Sequence, residues 1–393
     1  MNLRRFRYPI FALLAAVAVV AYPPSSLGSG ADWTSYLLGP AHTSFQQAAT
    51  AITPANASSL VQKWKFTPAK VANMTGVPPR AQIFASPTVY QGTIYIGANT
   101  GDFYALNETT GKVIWKHFLG FTPTRTCKGR GFTSTATVAP DPVTGALTVY
   151  VASGDGYLYA LDAGTGSVVW SSFVVDIGST QNEGYNWSSP TVAGGHIFMG
   201  VSSHCDQPLI RGGVKEYDQH DGSLQNTYWT VPEGSIGGSV WSSLAATTDG
   251  SSAFASTGNG DTTAGASLGD SFSIVRLDGQ TLAKAGIYTI PGLGGTDKDF
   301  GASPTLFSAT SNTGVTPMVG ACNKNGKFYA LNQNLAGGPL WVDKIGAGLC
   351  FASAIFNPSD PSSGLYLASD ATSINGTPTR GSLREVNPAT GSY

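Results

Sequence analysis

The side chains in this sequence with the types and spacing for chemistry are few, and they sit in Gly- and Ser-rich loops. Ser203-His204-Cys205-Asp206, Thr257-Gly258-Asn259-Gly260 and Asp297-Lys298-Asp299-Phe300-Gly301-Ala302-Ser303-Pro304 each offer a side-chain oxygen: a carboxylate at Asp206 and Asp299, an amide at Asn259. Such oxygens are the donors a hard cation takes, and a carboxylate can accept a hydroxyl proton. Arg130, in Cys127-Lys128-Gly129-Arg130-Gly131, and Lys324, in Cys322-Asn323-Lys324-Asn325-Gly326, are cations; Trp241 offers an aromatic face. A planar guanidinium suits a ligand that carries carboxylates. Each residue also has a plainer reading. Asp206 can satisfy loop backbone donors, Asn259 can be an αL turn residue, and Asp299 can be structural. Trp241 can be a core residue and Lys324 a solvated hairpin lysine.

Other chemistries are absent. There is no Gly-x-Ser-x-Gly elbow and no His-Glu-x-x-His. The five histidines, at 42, 117, 196, 204 and 220, are scattered and read mostly as surface or strand residues. Gly154-Asp155-Gly156 precedes a strand pattern, not a helix, so a dinucleotide fingerprint is rejected. No Cys-x-x-Cys-His attaches a haem, so electrons leaving any redox centre need an external acceptor. With 22 basic and 23 acidic residues the net charge is −1, and no basic stripe supports a nucleic-acid partner.

The elements that must hold these loops form a repeat. Gly154 to Trp170 reads strand, turn, strand, with Asp162-Ala163-Gly164-Thr165-Gly166 as the turn. The same pattern recurs around Trp115, Trp229, Tyr288 and Trp341. The closing aromatics lie 55 (115 to 170), 59 (170 to 229), 59 (229 to 288) and 53 (288 to 341) residues apart. Such a period, filled with short strands, predicts an all-β propeller of four-stranded blades. Five repeats run from about 83 to 345, and a sixth starts at Phe351 and stops at Tyr393, one strand short. The strand at 61–66, with Trp64, looks like a closing outer strand without its blade. Either it completes a ring of six blades, or the ring is larger and the chain is C-terminally incomplete; unpaired edges favour the second.

Residues 1–30 read as a signal peptide, with Arg4, Arg5 and Arg7 before an apolar run from Ile10 to Ala21. The propeller then occupies 31–393. This predicts a secreted or periplasmic protein, an uncleaved anchor being the alternative. Export permits disulfides. Four cysteines allow three pairings, of which Cys127–Cys205 with Cys322–Cys350 is favoured, four free thiols being the alternative.

The Tyr-Ala-Leu-Asp…Thr-Gly…Trp repeat resembles that of pyrroloquinoline-quinone (PQQ) dehydrogenases, the quinoprotein alcohol dehydrogenase-like propellers. It is shared with outer-membrane assembly lipoprotein propellers. Asp32-Trp33 through Ser44 and Ile52-Thr53-Pro54-Ala55-Asn56 look like the start of the polyvinyl-alcohol dehydrogenase type. The resemblance covers nearly all of the chain beyond residue 30 and implies eight blades. It also implies PQQ and calcium as cofactors on the propeller axis. Asp206 and Asn259 are then metal ligands, Asp299 the catalytic base, Trp241 the ring stacked on the quinone, and Arg130 and Lys324 its polar contacts. Three departures stand out: Asp206 replaces the family's Glu, Asn259 lacks its following Pro, and Cys127 lacks a vicinal Cys. Two functions follow. One is an exported dehydrogenase for an alcohol, sugar or polyol; the other is a non-catalytic propeller that binds protein or carbohydrate at the cell surface.

Overall fold

The computed structural model describes residues 32–49, 51–69, 81–178, 183–295, 297–312, 314–360, 362–374 and 376–393. The signal-like segment and its boundary near residue 30 lie outside them. Five four-stranded antiparallel sheets follow one another, at 88–118, 137–173, 191–229, 245–289 and 305–344; we call these blades 1 to 5. Blade 6 has three strands, Ile355–Phe356, Leu365–Ser369 and Ser382–Val386, with an added hairpin at 372–379. The fold is a β-propeller. Its core lies between blades: Phe103 and Trp115 of blade 1, for example, share a cluster with Val149 and Leu161 of blade 2.

At the axis the blades are joined by hydroxyl groups. The backbone N–H groups of Ser86, Thr135, Ser189 and Ser243 donate to the hydroxyls of Thr135, Ser189, Ser243 and Ser303, each on the next blade, at 2.9–3.1 Å. Two residues after three of these positions, Thr88, Thr137 and Thr191 donate their hydroxyls to the next blade's backbone at 2.6 Å. Buried backbone groups at the inner edge are thereby satisfied without a continuous ladder.

A second joint runs around the outside. The fourth strand of each blade touches the turn before the fourth strand of the next. Trp115 Nε1 donates to Ala163 O at 3.0 Å, and a Cβ on Gly166 would lie 2.5 Å from the Trp115 ring. Trp170 with Gly222 and Trp341 with Gly391 repeat this contact. Trp64 repeats it with Gly111 and donates to Glu108 O at 2.8 Å. These glycines have φ between +67° and +74°, where a side chain would also strain the backbone.

Here the sequence reading needs correction. Strand register aligns Asn226, not Trp229, and Gly286, not Tyr288, with Trp115, Trp170 and Trp341. At these two junctions the facing glycine is replaced by Leu282 (φ 51°) and Leu335 (φ 56°), both buried. Asn226 keeps the polar half of the contact, donating to Gln280 O at 2.9 Å. Large-with-small has become small-with-large, the bulk moving from the strand to the turn.

Residues 33–43 form an irregular strap that crosses the axis. It pairs with Val89 of blade 1 and accepts N–H groups from Val138, Ala246, Leu306 and Phe356 of blades 2, 4, 5 and 6, at 2.8–2.9 Å. His42 is buried in it, its ring on Pro304 O at 3.1 Å, and desolvation lowers its pKa to about 4. His204 is buried too, so the surface-or-strand reading fails for both. Among the described residues no strand pairs with 61–66, and the 382–386 strand has no outer neighbour. The Trp64 segment therefore does not complete blade 6 here.

Candidate functional site

A cavity of about 510 Å³ opens on the axis above the strap, and all six blades help to line it. Tyr36 of the strap is in its wall. Aromatic sides come from Phe84, Trp187, Trp241 and Phe351, and hydroxyls of the axial clasp fill much of the rest. This size and mix of apolar walls with a few polar groups suit a small planar ligand.

Arg130 and Trp241 both line this cavity. The Arg130 guanidinium carbon lies 4.9 Å from the Phe84 ring centre and 5.5 Å from that of Trp187, held between two aromatic faces. Trp241 is half-buried in the loop leading to blade 4, which makes it a wall residue and not core. Trp187, which the motifs did not single out, is held by bonds from its Nε1 to Ser203 O and His204 O, at 3.2 and 3.0 Å.

The oxygen donors gather outside this cavity, where Asp206 and Asn259 line a second one of about 440 Å³ with Cys205 and Asp297. Asp206 comes from the loop 202–212 of blade 3 and Asn259 from the loop 257–272 of blade 4. Asn259 Nδ2 donates to Asp206 Oδ2 at 3.2 Å, and Ser203 Oγ donates to Asp206 Oδ1 at 2.5 Å. Asp206 therefore meets side chains and not the backbone donors of the plain reading. It is Asp206, at φ 57°, and not Asn259 that takes the αL conformation. Asn259 Oδ1 accepts the Lys298 N–H at 2.9 Å, which brings Asp299 alongside.

Asp299 is buried on the loop before blade 5. Lys324 Nζ lies 2.5 Å from Asp299 Oδ2, also bonds Asp297 Oδ1, and stands 5.3 Å from the Trp241 ring centre. The Lys324 side chain is 10% exposed, so it is not a solvated hairpin lysine. Asp299 Oδ1 is buried with no hydrogen-bond partner among the described residues. It faces Gly258, whose added Cβ would sit 3.3 Å from it. Desolvation raises the Asp299 pKa, as do the charges of Asp206 and Asp297; Lys324 opposes this. Burial opposes the Lys324 charge, but its bonds to the two aspartates outweigh that and raise its pKa.

All six sequence-selected residues thus fall in one neighbourhood, Arg130, Trp241 and Asp299 on loops between blades and Asp206, Asn259 and Lys324 on turns within blades 3, 4 and 5. An orphaned carboxylate oxygen beside a second carboxylate and an amide is a donor set that fits a hard divalent cation. Both favoured disulfides are formed, Cys127–Cys205 and Cys322–Cys350. The first ties the Arg130 loop to Asp206, and the second ties the Lys324 turn to the Phe351 loop. Across the wider site, Tyr36, Trp187 and the clasp hydroxyls were not found from sequence; only the Ser/Thr-x-Thr that recurs at 86–88, 135–137, 189–191 and 303–305 could have shown the last.

A quinohemoprotein alcohol dehydrogenase of Pseudomonas putida is 27% identical over 227 residues, 57% of this chain and 30% of the relative. The polyvinylalcohol dehydrogenase of a Pseudomonas species is 23% identical over 383 residues, 88% of this chain and 56% of the relative. The chain thus covers less than two thirds of the length of each of these curated relatives. Among solved structures, the quinohemoprotein alcohol dehydrogenase of Comamonas testosteroni superposes with a TM-score of 0.70 at 18% identity, covering 94% of this chain and 67% of that one. A europium-containing methanol dehydrogenase gives 0.67 at 17%, covering 91% and 73%. Both share the propeller fold. Residues 33–343 match the PQQ family, described as the β-propeller domain of glucose/ethanol/alcohol dehydrogenases, and the chain belongs to that family.

Proposed function

We propose that this chain is an exported quinoprotein dehydrogenase that oxidises an alcohol, sugar or polyol with PQQ and calcium. The observation that carries this reading is the unpartnered Asp299 Oδ1, buried near the Asp206–Asn259 pair and joined to the axial cavity through Lys324, which bonds Asp299 and stands 5.3 Å from the Trp241 ring centre. Asp206 and Asn259 would hold the cation, Trp241 would stack on the cofactor, and Arg130 and Lys324 would meet its anionic groups. When bound, the quinone supplies a two-electron acceptor and the cation a Lewis acid beside it.

The chain's own residues do the rest. Asp299 accepts the hydroxyl proton on Oδ1, the oxygen without a partner. Lys324 on Oδ2 fixes the carboxylate and favours its charged form against the opposing effect of burial. The aromatic walls exclude water from the reacting centre. Electrons then leave to an external acceptor. Export is supported by residues 4–21 and by the two disulfides.

Dye reduction over a panel of alcohols, with PQQ and Ca²⁺ supplied, tests the reading. Asp299→Asn is expected to keep the cofactor and lose turnover by roughly 10²- to 10⁴-fold. Undiminished turnover in that variant would remove Asp299 from the mechanism.

A further inference from the structure

Behind Trp187 lies a polar cluster that the proposed chemistry does not use. Cys127, Glu183 and His204 are all buried, and their ligand atoms lie within 4.8 Å of one another. Glu183 Oε1 accepts the Cys127 N–H at 3.1 Å, and the His204 N–H donates to Glu183 O at 2.8 Å. The imidazole stacks on Tyr185, with ring centres 4.7 Å apart. Two atoms are left without a hydrogen-bond partner among the described residues: Glu183 Oε2 and His204 Nδ1. His204 Nδ1 is 3.9 Å from Glu183 Oε1, too far for a hydrogen bond. A buried carboxylate and a buried imidazole that each leave one atom unpaired are costly, and they point to a missing ligand.

The fourth member is Cys205, bonded through sulfur to Cys127 and exposed to solvent. We propose that these four side chains are a redox-gated metal site, in which the thiolates of Cys127 and Cys205 join His204 and Glu183 around one Zn²⁺. Two sulfurs, one nitrogen and one carboxylate oxygen make a tetrahedral zinc set. Ligand atoms around a tetrahedral zinc sit roughly 3.3–3.8 Å apart, given bonds of about 2.0–2.3 Å. Cys127, Glu183 and His204 need only a small contraction to reach this, while the two sulfurs, once reduced, must part from bonding distance. In the oxidised protein the sulfurs are spent on each other and the site is closed.

The opening step balances with a phosphine as reductant. The phosphine attacks sulfur and breaks the S–S bond. Water then supplies the oxygen of the phosphine oxide and the two protons of the thiols. Zinc binding releases those two protons. The metal then replaces the covalent tie between the loop carrying Arg130 and the loop carrying Asp206, so that both stay in place in either redox state.

The test uses the full folded chain, without any quinone, so its failure is independent of the dehydrogenase reading. The protein is reduced under argon with a water-soluble phosphine, with Zn²⁺ or Co²⁺ added before or after. Near-UV circular dichroism follows the fold, and bound metal is counted after desalting. One metal per chain is expected in the reduced protein and none in the oxidised one, with a thiolate-to-cobalt charge-transfer band. His204→Gln and Glu183→Gln are each expected to weaken uptake by about tenfold or more. If reduction alone unfolds the chain, zinc added beforehand should preserve the fold. No uptake by reduced folded protein would overturn the proposal. So would uptake indifferent to both substitutions, or unfolding that zinc does not prevent.

Discussion

Blades 1, 2 and 5 differ from blades 3 and 4 in two ways at once. In the first group the turn between second and third strands is tight, at 98–101, 153–156 and 324–326, and the fourth strand docks a tryptophan on a glycine. In the second group the same turns are long, at 202–212 and 257–272, and the fourth strand instead presents Asn226, bonded to Gln280 O, and Gly286, against Asn334 and Leu335. Those long turns carry Asp206 and Asn259. The repeat is most regular where only packing is asked of it, and it departs most where loops supply oxygen donors. At these joints a buried leucine on the turn takes the place of the indole on the strand.

Breaking a Trp–Gly joint should have the largest effect. Gly166→Leu puts a side chain into the Trp115 ring at φ +74° and is expected to destabilise by about 3 kcal/mol or more, read from denaturant midpoints. Adding Trp115→Gly would rebuild the arrangement of residues 286 and 335, and part of the loss should return. If the double variant is as unstable as the sum of both single changes, size exchange is not what holds these joints. Leu335→Gly forfeits about 1.5–3 kcal/mol of burial but relieves about 1–2 kcal/mol of left-handed strain. A net loss near 1 kcal/mol is expected. Asn226→Ala removes one hydrogen bond to Gln280 O and should cost about 0.5–1.5 kcal/mol.

The smallest effect is expected between blades 2 and 3, where His220 Nδ1 meets Asp141 Oδ2 at 2.9 Å. The bond to Asp141 raises the His220 pKa, so its contribution is full below 6.5 and fades as pH rises through the folded value. Desolvation opposes the Asp141 charge, but bonds from Thr144, His220 and Val143 outweigh it and lower the pKa to about 2. The Asp141 contribution is therefore present above 3.8 and lost as pH falls towards 2. The pair thus helps most between pH 3.8 and 6.5. Thermal unfolding of His220→Gln should fall slightly below the unsubstituted protein at pH 5 and match it at pH 9. An equal difference at both values would show that the charge is not what matters.

Much of this was legible in the sequence. Trp115, Trp170 and Trp341 sit where the period put them, since a docking indole needs both its size and its N–H. Trp229 and Tyr288 misled because an aromatic lay within three residues of a position whose tryptophan had been exchanged. Trp229 stacks instead under Arg211, at 4.7 Å. The loop motifs led to residues that do converge, because each joins a reactive type to a Gly-rich turn. The strap's role was not legible, as its bonds to the blades are backbone bonds of Trp33, Thr34, Pro40, Ala41 and Thr43, which carry no side-chain signature. Glu183 and His204 were passed over because burial cannot be read from an isolated polar residue.

The central claim is that the oxygen cluster and the axial cavity are one cofactor site. The most direct measurement is an equilibrium titration of the folded protein with PQQ, with and without Ca²⁺, followed by visible absorbance and tryptophan quenching. Stoichiometric uptake that needs Ca²⁺ and is lost in Asp206→Ala and Asn259→Ala is the expected result. Uptake that ignores both the cation and the substitutions, or none at all by folded protein, would contradict it; with no uptake, a propeller that binds protein or carbohydrate through its loops would be left.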